Sequence, residues 1–337
     1  MRTSSTPRMI ATFAAVSLIA ACSGNGNGGA EGGDAAGYPE QNITVVVPFS
    51  AGGPTDTVTR MIADPMAKAL GGKIVVQNVE GAGGTVAAGQ VAQARPDGYT
   101  VLMHHIGMST APALYKDLGY QPLEDFATVG LVTEVPMTVV ARKDFPPTTL
   151  ADLTTYVKAN SAKVTLANAG IGAASHLCGL LFQAAAGVKL QEVPYQGTGP
   201  ALTDLVGGQV DFMCDQTTNT TGQISAGKVK AYAVTTPERV KSLPDVPTTA
   251  EAGMPQLAVS VWHGLYVPTG TPPEIVQKLS GALKTALADQ AVIDQMAKLG
   301  TAPVAAADAT PEAHRAHLEE QLTTWAKVIS DAGVKAS

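Results

Sequence analysis

Residues 45–70 read VVVPFSAGGPTDTVTRMIADPMAKAL, and this stretch decides the fold class. The β-branched run 45–47 favours a buried strand, and Pro48 ends it because proline has no N–H for a sheet ladder. Gly52 and Gly53 allow a turn, after which apolar residues recur at helical spacing as far as Leu70. The stretch therefore predicts a strand, a glycine-rich turn and a helix, the repeating unit of an α/β fold.

The start of this helix is a candidate anion site. Its unpaired N–H groups and the positive end of its dipole lie beside two glycines, in an open concavity. Asp56 falls in the first turn, where a carboxylate is favourable as a cap. The alternative is that Asp56 orients bound water or accepts a hydrogen bond from a ligand hydroxyl.

The same strand, loop and helix pattern recurs along the chain, in two groups. Strands are predicted at 45–47, 73–79 and 99–103, then at 164–167, 191–194 and 210–214. In a parallel sheet the carboxyl ends of such strands share one edge, which is where open α/β sheets bind ligands. We therefore expect two groups of loops that each face a binding site.

Chain length and one long segment indicate two domains. The 337 residues suit about two domains at roughly 100–200 residues each. The extended segment 126–140 exceeds the usual strand of about five or six residues, as a crossing between domains would. Residues 260–267 are expected to form the return crossing.

Six predicted loops contain no lysine or arginine: 49–56, 80–86, 104–110, 168–176, 195–200 and 214–221. Their glycines, hydroxyls and amides can hold a carboxylate through backbone N–H groups, helix dipoles and neutral side chains. Any one loop is equally well explained as an ordinary helix cap, and Ser109 or Thr110 would cap a short helix predicted at 113–118. Among the acidic residues, Asp215 is the better candidate for ligand contact because it ends a predicted strand.

The histidines do not form a metal-binding pattern. His176 opens a helix after a glycine-rich loop, so it either donates to a carboxylate or holds its own loop together. The pair His104 and His105 is too local for a metal site without partners. His314 and His317 are three apart on a predicted helix, where a solvated face is the expected role. We expect no metal and no cofactor.

Composition and motifs disfavour several function classes. The net charge is −6, and removal of a signal peptide that carries Arg2 and Arg8 leaves 20 basic against 28 acidic side chains, or −8. An acidic chain with few aromatic residues does not suit nucleic acid or an anionic membrane. The G-x-S-x-G motif and the full P-loop motif G-x-x-x-x-G-K-[ST] are absent from the sequence. We expect a protein that is not an enzyme, with a secreted hydrolase as the alternative.

The N-terminus predicts export. Residues 9–21 are mostly apolar, follow Arg2 and Arg8, and are too short to span a bilayer, which is typical of a signal peptide at 1–21. The sequence IAAC at 19–22 resembles a lipobox, in which Cys22 becomes the lipidated N-terminus; simple cleavage before it is the alternative. Residues 22–37 then form a glycine-rich linker with a reach of roughly 20 Å. The expected location is the periplasm or cell surface, with a lipid anchor in the membrane.

Cys178 and Cys214 remain once Cys22 is set aside. An even pair in an oxidising compartment favours a disulfide. The bridge would close a loop of about 36 residues and stabilise the fold by roughly 3–4 kcal/mol. Two buried free thiols are the alternative, although both cysteines lie beside loops expected at the same site.

Five motifs together resemble the substrate-binding proteins of tripartite tricarboxylate transporters, the Bug receptor family. They are PFSAGGPTD at 48–56, GAGG at 81–84, PDGYT at 96–100, SHL at 175–177 and YQGTGPA at 195–201. The resemblance implies a two-lobed periplasmic substrate-binding protein, type II-like, with two open α/β sheets joined by hinge strands and the ligand cleft between them. We expect lobe 1 to comprise residues 38–140 and 254–337, and lobe 2 residues 141–253.

The resemblance also implies a function and a set of site residues. A monomeric receptor would close on a small carboxylate, a di- or tricarboxylate or an aromatic acid, and deliver it to integral-membrane permease subunits. A ligand sensor for a signalling partner, without transport, is the alternative. By position in the motifs, the ligand would contact Phe49, Ala51, Gly52, Gly53, Thr55, Asp56, Gly83, Gly84 and Ser109 from one lobe and Ser175, His176, Thr198 and Asp215 from the other.

Overall fold

The structure of the protein is a computed structural model that describes residues 37–331. The predicted signal peptide, the predicted lipidation site Cys22 and residues 23–36 of the predicted linker lie outside the described residues. Within residues 37–331, no helix is both long and apolar enough to cross a membrane.

Ten strands and ten α-helices make up the described chain. The strands are β1 (Ile43–Val47), β2 (Ile74–Asn78), β3 (Thr100–His105), β4 (Phe126–Arg142), β5 (Thr165–Asn168), β6 (Gln191–Pro194), β7 (Phe212–Gln216), β8 (Val229–Val234), β9 (Ser260–Pro268) and β10 (Ala302–Pro303). The helices are α1 (Pro54–Leu70), α2 (Thr85–Ala92), α3 (Gly107–Leu114), α4 (Leu150–Asn160), α5 (Ala174–Ala186), α6 (Thr198–Val206), α7 (Thr217–Ser225), α8 (Pro273–Leu287), α9 (Gln290–Lys298) and α10 (Pro311–Asp331). A short 3-10 turn spans Ala82–Gly84.

Local sequence explains the bounds of α1. Pro54 begins the helix, where its missing N–H and fixed φ are tolerated. Gly71 ends it with φ of 67°, in the left-handed region that favours glycine. The apolar face buries Val58 and Ile62 in a core shared with Leu279 of α8, so the predicted helix is confirmed.

The first sheet contains β2, β1, β3, β9 and β4 in that order, with β10 also paired to β4. Strands β1, β2 and β3 are parallel, so their carboxyl ends share one edge as predicted. Strand β9 runs antiparallel to both β3 and β4. The loop between β1 and α1 therefore lies beside the carboxyl ends of β2 and β3.

Strand β4 joins the two sheets. Its first part, 126–136, pairs with β9, and its second part, 137–142, pairs with β7 and β8. In the second sheet β5, β6 and β7 are parallel. The predicted crossing is confirmed at β4. The return crossing lies before β9, since the Val259 N–H donates to the Thr235 carbonyl at 3.3 Å and β9 itself pairs only within the first sheet.

Helix α10 packs its apolar stripe onto this framework. Leu318, Trp325 and Ile329 are buried in a core with residues of α3 and β9. The solvated role expected for His314 is wrong, because its ring is fully buried, with its centroid 4.5 Å from that of Tyr266. Gly264 of β9 makes this possible, since a Cβ there would lie 2.2 Å from the imidazole.

Two segments that were predicted as loops, 104–110 and 214–221, belong to strand ends and helix starts in the structure. Helix α3 begins at Gly107, six residues before the predicted start, and the segment 214–221 comprises the end of β7 and the first turn of α7. Backbone pairing explains the second difference, since Asp215 pairs with Thr138 and Gln216 with Met137 of β4. Long-range pairing thus extends a strand beyond its apolar sequence.

Candidate ligand-binding site

A small cavity lies where the carboxyl ends of strands from both sheets meet. Its volume is about 20 Å³, which is room for about one water molecule and far below the roughly 300–1,000 Å³ usual for ligand pockets. The lining contains no lysine or arginine and consists of Phe49, Pro54, Thr55, His105, Ala169, Ala173, Ala174, Ser175, Thr198, Asp215 and Gln216. An organic acid would therefore need the two sheets to lie farther apart when it enters, and it would meet mostly neutral groups on this lining.

The start of α1 forms one wall of the cavity. Pro54 and Thr55 line it directly, and no side chain caps the helix at Gly53. The Thr55 hydroxyl lies 3.3 Å from Nε2 of the buried His263. An uncapped helix N-terminus favours an acceptor or a negative charge.

Asp56 stabilises the loop that precedes α1. Its carboxylate accepts hydrogen bonds from the Gly52 N–H at 2.9 Å, from Arg60 Nε at 2.9 Å and from Asn78 Nδ2 at 3.0 Å. Burial alone would raise the pKa of Asp56, but the hydrogen bonds from Arg60, Gly52 and Asn78 together hold it below its usual value. The side chain is therefore ionised and its charge is balanced within the loop.

Two buried histidines pack against Phe49 on the first-sheet side of the cavity, and a third packs against one of them. The Phe49 ring centroid lies 4.7 Å from that of His105 and 6.1 Å from that of His104, and His105 lies 5.9 Å from His263. Burial is the largest cause that lowers their pKa values, to about 4 for His104 and about 3 for His263, and well below 6.5 for His105. All three imidazoles are therefore neutral near pH 7.

Two hydroxyl groups lie at the starts of helices that follow strands of the second sheet, and both line the same cavity. Ser175 lies in the first turn of α5, and its Oγ accepts a hydrogen bond from the Ala169 N–H at 2.9 Å. Thr198 is the first residue of α6. Both are buried and both line the cavity. Each hydroxyl can offer a ligand an uncharged donor or acceptor.

Asp215 is the one carboxylate in the cavity lining. It is 1% exposed, and burial raises its pKa to about 7, against hydrogen bonds from Asn219, Thr198 and the Gln216 N–H that lower it. The Gln216 N–H lies 2.8 Å from Oδ1. Asp215 therefore changes its protonation state near neutral pH.

Loops of the two sheets meet beside the cavity. The Ser50 N–H donates to the Gln196 carbonyl at 3.1 Å, and the Thr110 hydroxyl donates to the Gly172 carbonyl at 3.0 Å. Gly83 lies so close to Ile171 that a Cβ would be 1.8 Å from its carbonyl oxygen. These contacts enclose the cavity.

A sequence model of the tripartite tricarboxylate transporter family receptor, TctC, matches residues 58–334 of this chain. The chain belongs to this family. The matched range begins within α1 and includes His105 and the lining residues from the second group of loops, whereas Phe49, Pro54 and Thr55 precede it. The chain is accordingly an exported, periplasmic solute-binding receptor.

Three solved structures resemble this chain. The periplasmic binding protein BugD is 52% identical, with a TM-score of 0.87, over 89% of this chain and 100% of its own. MatC from Rhodopseudomonas palustris, solved with bound malate, is 43% identical, with a TM-score of 0.85, over 87% of this chain and 100% of its own. Rpa4515 from the same species, solved with adipate, is 32% identical, with a TM-score of 0.84, over 89% and 100%. The chain thus has the α/β fold of periplasmic binding proteins.

The structure brings five of the predicted site residues together on the cavity. They are Phe49, Thr55, Ser175, Thr198 and Asp215. They come from both predicted groups of loops, so the expected meeting of the two groups is observed. Contact of each residue with a ligand stays a prediction.

The other predicted residues do not line the cavity. Several instead hold the surrounding loops: Ser109 Oγ donates to the Ile106 carbonyl at 2.8 Å, and His176 Nδ1 accepts from the Gly172 N–H at 3.3 Å. His176 Nε2 also lies 3.5 Å from Glu192, and burial lowers its pKa. This agrees with the alternative in which His176 holds its own loop. The residues outside the lining are Ala51, Gly52, Gly53, Asp56, Gly83, Gly84, Ser109 and His176.

Two polar lining residues were missed by the sequence analysis, namely His105 and Gln216. Both are the last residues of their strands, two positions beyond the predicted ends. Their position after an apolar run was the available signal, because polar residues at the carboxyl end of a parallel strand face the binding edge.

A disulfide joins Cys178 of α5 to Cys214 of β7, with a Cα separation of 5.9 Å. Ser175 lies one helical turn before Cys178, and Asp215 directly follows Cys214. The bond therefore ties together the two elements that supply these lining residues. Among residues 37–331, His, Cys, Asp and Glu side chains form no group of three or more that could hold a metal ion.

Proposed function

We propose that this protein is an extracytoplasmic receptor that captures a small carboxylate and delivers it to the permease subunits of a tripartite tricarboxylate-type transporter. The cavity carries the proposal: it offers neutral hydroxyl, imidazole and amide groups and a helix N-terminus, and its lining has no basic side chain. Membership of the TctC family supports it. Bound malate in MatC and adipate in Rpa4515 support a di- or tricarboxylate ligand.

Capture would proceed by closure of two lobes. We assign residues 38–140 and 254–337 to lobe 1 and residues 141–253 to lobe 2, with β4 and the segment before β9 as the hinge. The contacts between Ser50 and Gln196 and between Thr110 and Gly172 would form on closure. A ligand that contacts both lobes stabilises the closed state through its differential affinity.

Neutral groups can recognise an anion without a partner cation. Backbone N–H groups and an aligned helix dipole place partial positive charge at the start of α1. Ser175 at the start of α5 adds a hydroxyl donor, and Thr198 at the start of α6, which hydrogen-bonds Asp215, can still accept a hydrogen bond. We assign this protein no catalytic role, since these groups suffice for binding.

We further propose that the receptor is a monomeric lipoprotein anchored through Cys22. Lipidation places the receptor at the membrane that holds its permease partner. Growth of a producing bacterium with labelled palmitate should label the wild-type protein and not the Cys22→Ala variant. Equal labelling of both would contradict the anchor, and a dimer in size-exclusion chromatography would contradict the monomer.

Thermal unfolding against a panel of carboxylic acids tests the receptor function. Malate, adipate, citrate and benzoate should be compared with the corresponding amides at equal millimolar concentration. A ligand at 100 times its Kd stabilises the folded state by about 2.7 kcal/mol, which raises the midpoint by a few degrees. A shift with an acid and not with its amide supports carboxylate recognition. Absence of any shift across acids of all these classes would contradict it.

A further inference from the structure

His105 is the one imidazole in the cavity lining. It ends β3 and is 3% exposed, and it pairs across the sheet with His263 of β9. Its ring packs between Phe49, His104 and His263. The position of this ring is therefore fixed by packing on several sides before any ligand enters.

One hydrogen bond fixes the tautomer of His105. The Gly107 N–H donates to Nδ1 at 2.9 Å, so Nδ1 carries a lone pair and no proton. The ring is neutral because burial and the neighbouring imidazoles of His104 and His263 disfavour its charged form. The single proton of the neutral ring therefore lies on Nε2.

The Nε2–H donor is left for a ligand. The hydrogen bonds of the His105 side chain within residues 37–331 involve Nδ1, and none involves Nε2. A polar group at a binding cavity is stabilised when a ligand supplies the missing partner. The partner must be an acceptor, such as an oxygen of a carboxylate, because this nitrogen can only donate.

We propose that His105 determines ligand specificity by donating its Nε2–H to a carboxylate oxygen of the bound acid. This inference rests on the proposed function and names one donor within the same site. The donor is uncharged, so it adds selectivity for an acceptor without a cation in the cavity. An ammonium or a hydrocarbon group at the same place leaves the Nε2–H unpaired.

Two variants separate the two ring nitrogens. Asparagine can place its side-chain oxygen near the position of Nδ1 and has no atom near Nε2, so His105→Asn keeps the acceptor for Gly107 and removes the donor. Glutamine reaches farther and can place an N–H near Nε2, so His105→Gln keeps the donor. His317→Asn serves as a matched control, because His317 lies on α10 and outside the cavity lining.

Binding of sodium malate and sodium adipate to the full mature protein is measured by calorimetry. We expect His105→Asn to raise Kd by about 10- to 100-fold, the effect of one hydrogen bond to a charged group. His105→Gln should stay within about threefold of wild type, as should His317→Asn. Nitrogen-15 NMR at pH 7 should show a neutral His105 with its proton on Nε2, a readout that a purely structural role does not determine.

The outcomes distinguish this inference from the function on which it rests. Equal affinity of wild type and His105→Asn, or a proton on Nδ1 of His105, overturns the inference and leaves the receptor function in place. Equal loss in the Asn and Gln variants also overturns it, since that pattern indicates packing. If the wild-type protein binds neither malate nor adipate nor another acid of the panel above, both the inference and the receptor function are overturned.

Discussion

The hydroxyl oxygen of Tyr115 lies 2.7 Å from the carbonyl oxygen of Ile171 and 2.8 Å from that of Ala82. Tyr115 directly follows α3, Ala82 lies in the turn after β2, and Ile171 lies in the loop after β5. One side chain thus holds the turn after β2 beside the loop after β5. In the proposed receptor, the hydrogen bond between Tyr115 and Ile171 joins the two lobes, so it exists only when the lobes are closed.

Replacement of Tyr115 by phenylalanine should weaken ligand binding through the closed state. The lost neutral hydrogen bond is worth about 0.5–1.5 kcal/mol, so the Kd for malate or adipate should rise about two- to twelvefold. Dissociation should be faster, as stopped-flow fluorescence would show. Tyr156→Phe on α4 is the matched control, and an equal effect of both variants would argue against a closing contact.

Gly83→Ala should block closure by a direct clash. The new Cβ would lie 1.8 Å from the Ile171 carbonyl oxygen, and φ at Gly83 is 62°. Gly71→Ala is the control, because Gly71 has φ of 67° and open space around its Cβ position. Both variants should lose about 1 kcal/mol of stability in urea from the left-handed backbone, but only Gly83→Ala should lose ligand affinity, by more than tenfold in calorimetry. Unchanged affinity would show that the 81–84 turn need not approach Ile171 when a ligand is bound.

Local sequence patterns determine much of the framework. Helix α1 is predictable because its apolar spacing, Pro54 and Gly71 all act within one segment. The parallel pairing of β1 with β2 and β3 follows from the strand and helix alternation. The crossing at β4 is predictable from its length alone. Each of these features depends on residues that are near one another in the chain.

The missed features depend on distant residues. Strands β3 and β7 extend to His105 and Gln216 because β9 and β4 continue to pair with them, and no local pattern reports that pairing. The burial of His314 likewise depends on Gly264, which is 50 residues earlier in the chain. The cavity was therefore assigned to the right loops, but two of its polar residues were missed.

Removal of the disulfide should destabilise the fold and loosen the cavity. The bond between Cys178 and Cys214 closes a loop with a sequence separation of 36, which corresponds to roughly 3–4 kcal/mol on the chain-entropy model. Urea unfolding of a Cys178→Ala, Cys214→Ala variant should show this loss. Reductant should produce a similar loss in the wild type and none in the variant. Alkylation and mass spectrometry that found two free thiols in the native protein would contradict the bond.

The free energy of unfolding should depend on pH because Asp215 has different pKa values in the folded and unfolded states. Its pKa is raised from 3.8 to about 7 in the folded state by burial. Between these values the folded protein holds a proton that the unfolded chain has lost. The free energy of unfolding therefore falls as pH rises from about 4 to 7, by up to about 1.4 kcal/mol per pH unit from this group.

The Asp215→Asn variant isolates this effect from the buried histidines. His104, His105 and His263 have lowered pKa values, so their contribution has the opposite sign and raises stability as pH rises from about 4 to 6.5. These histidines are present in both proteins, so they cancel in the difference. Urea unfolding at pH 4 to 8 should show the stability of Asp215→Asn rising relative to wild type until about pH 7 and then levelling. A constant difference across this range would mean that Asp215 keeps an ordinary pKa and enters the cavity as a carboxylate.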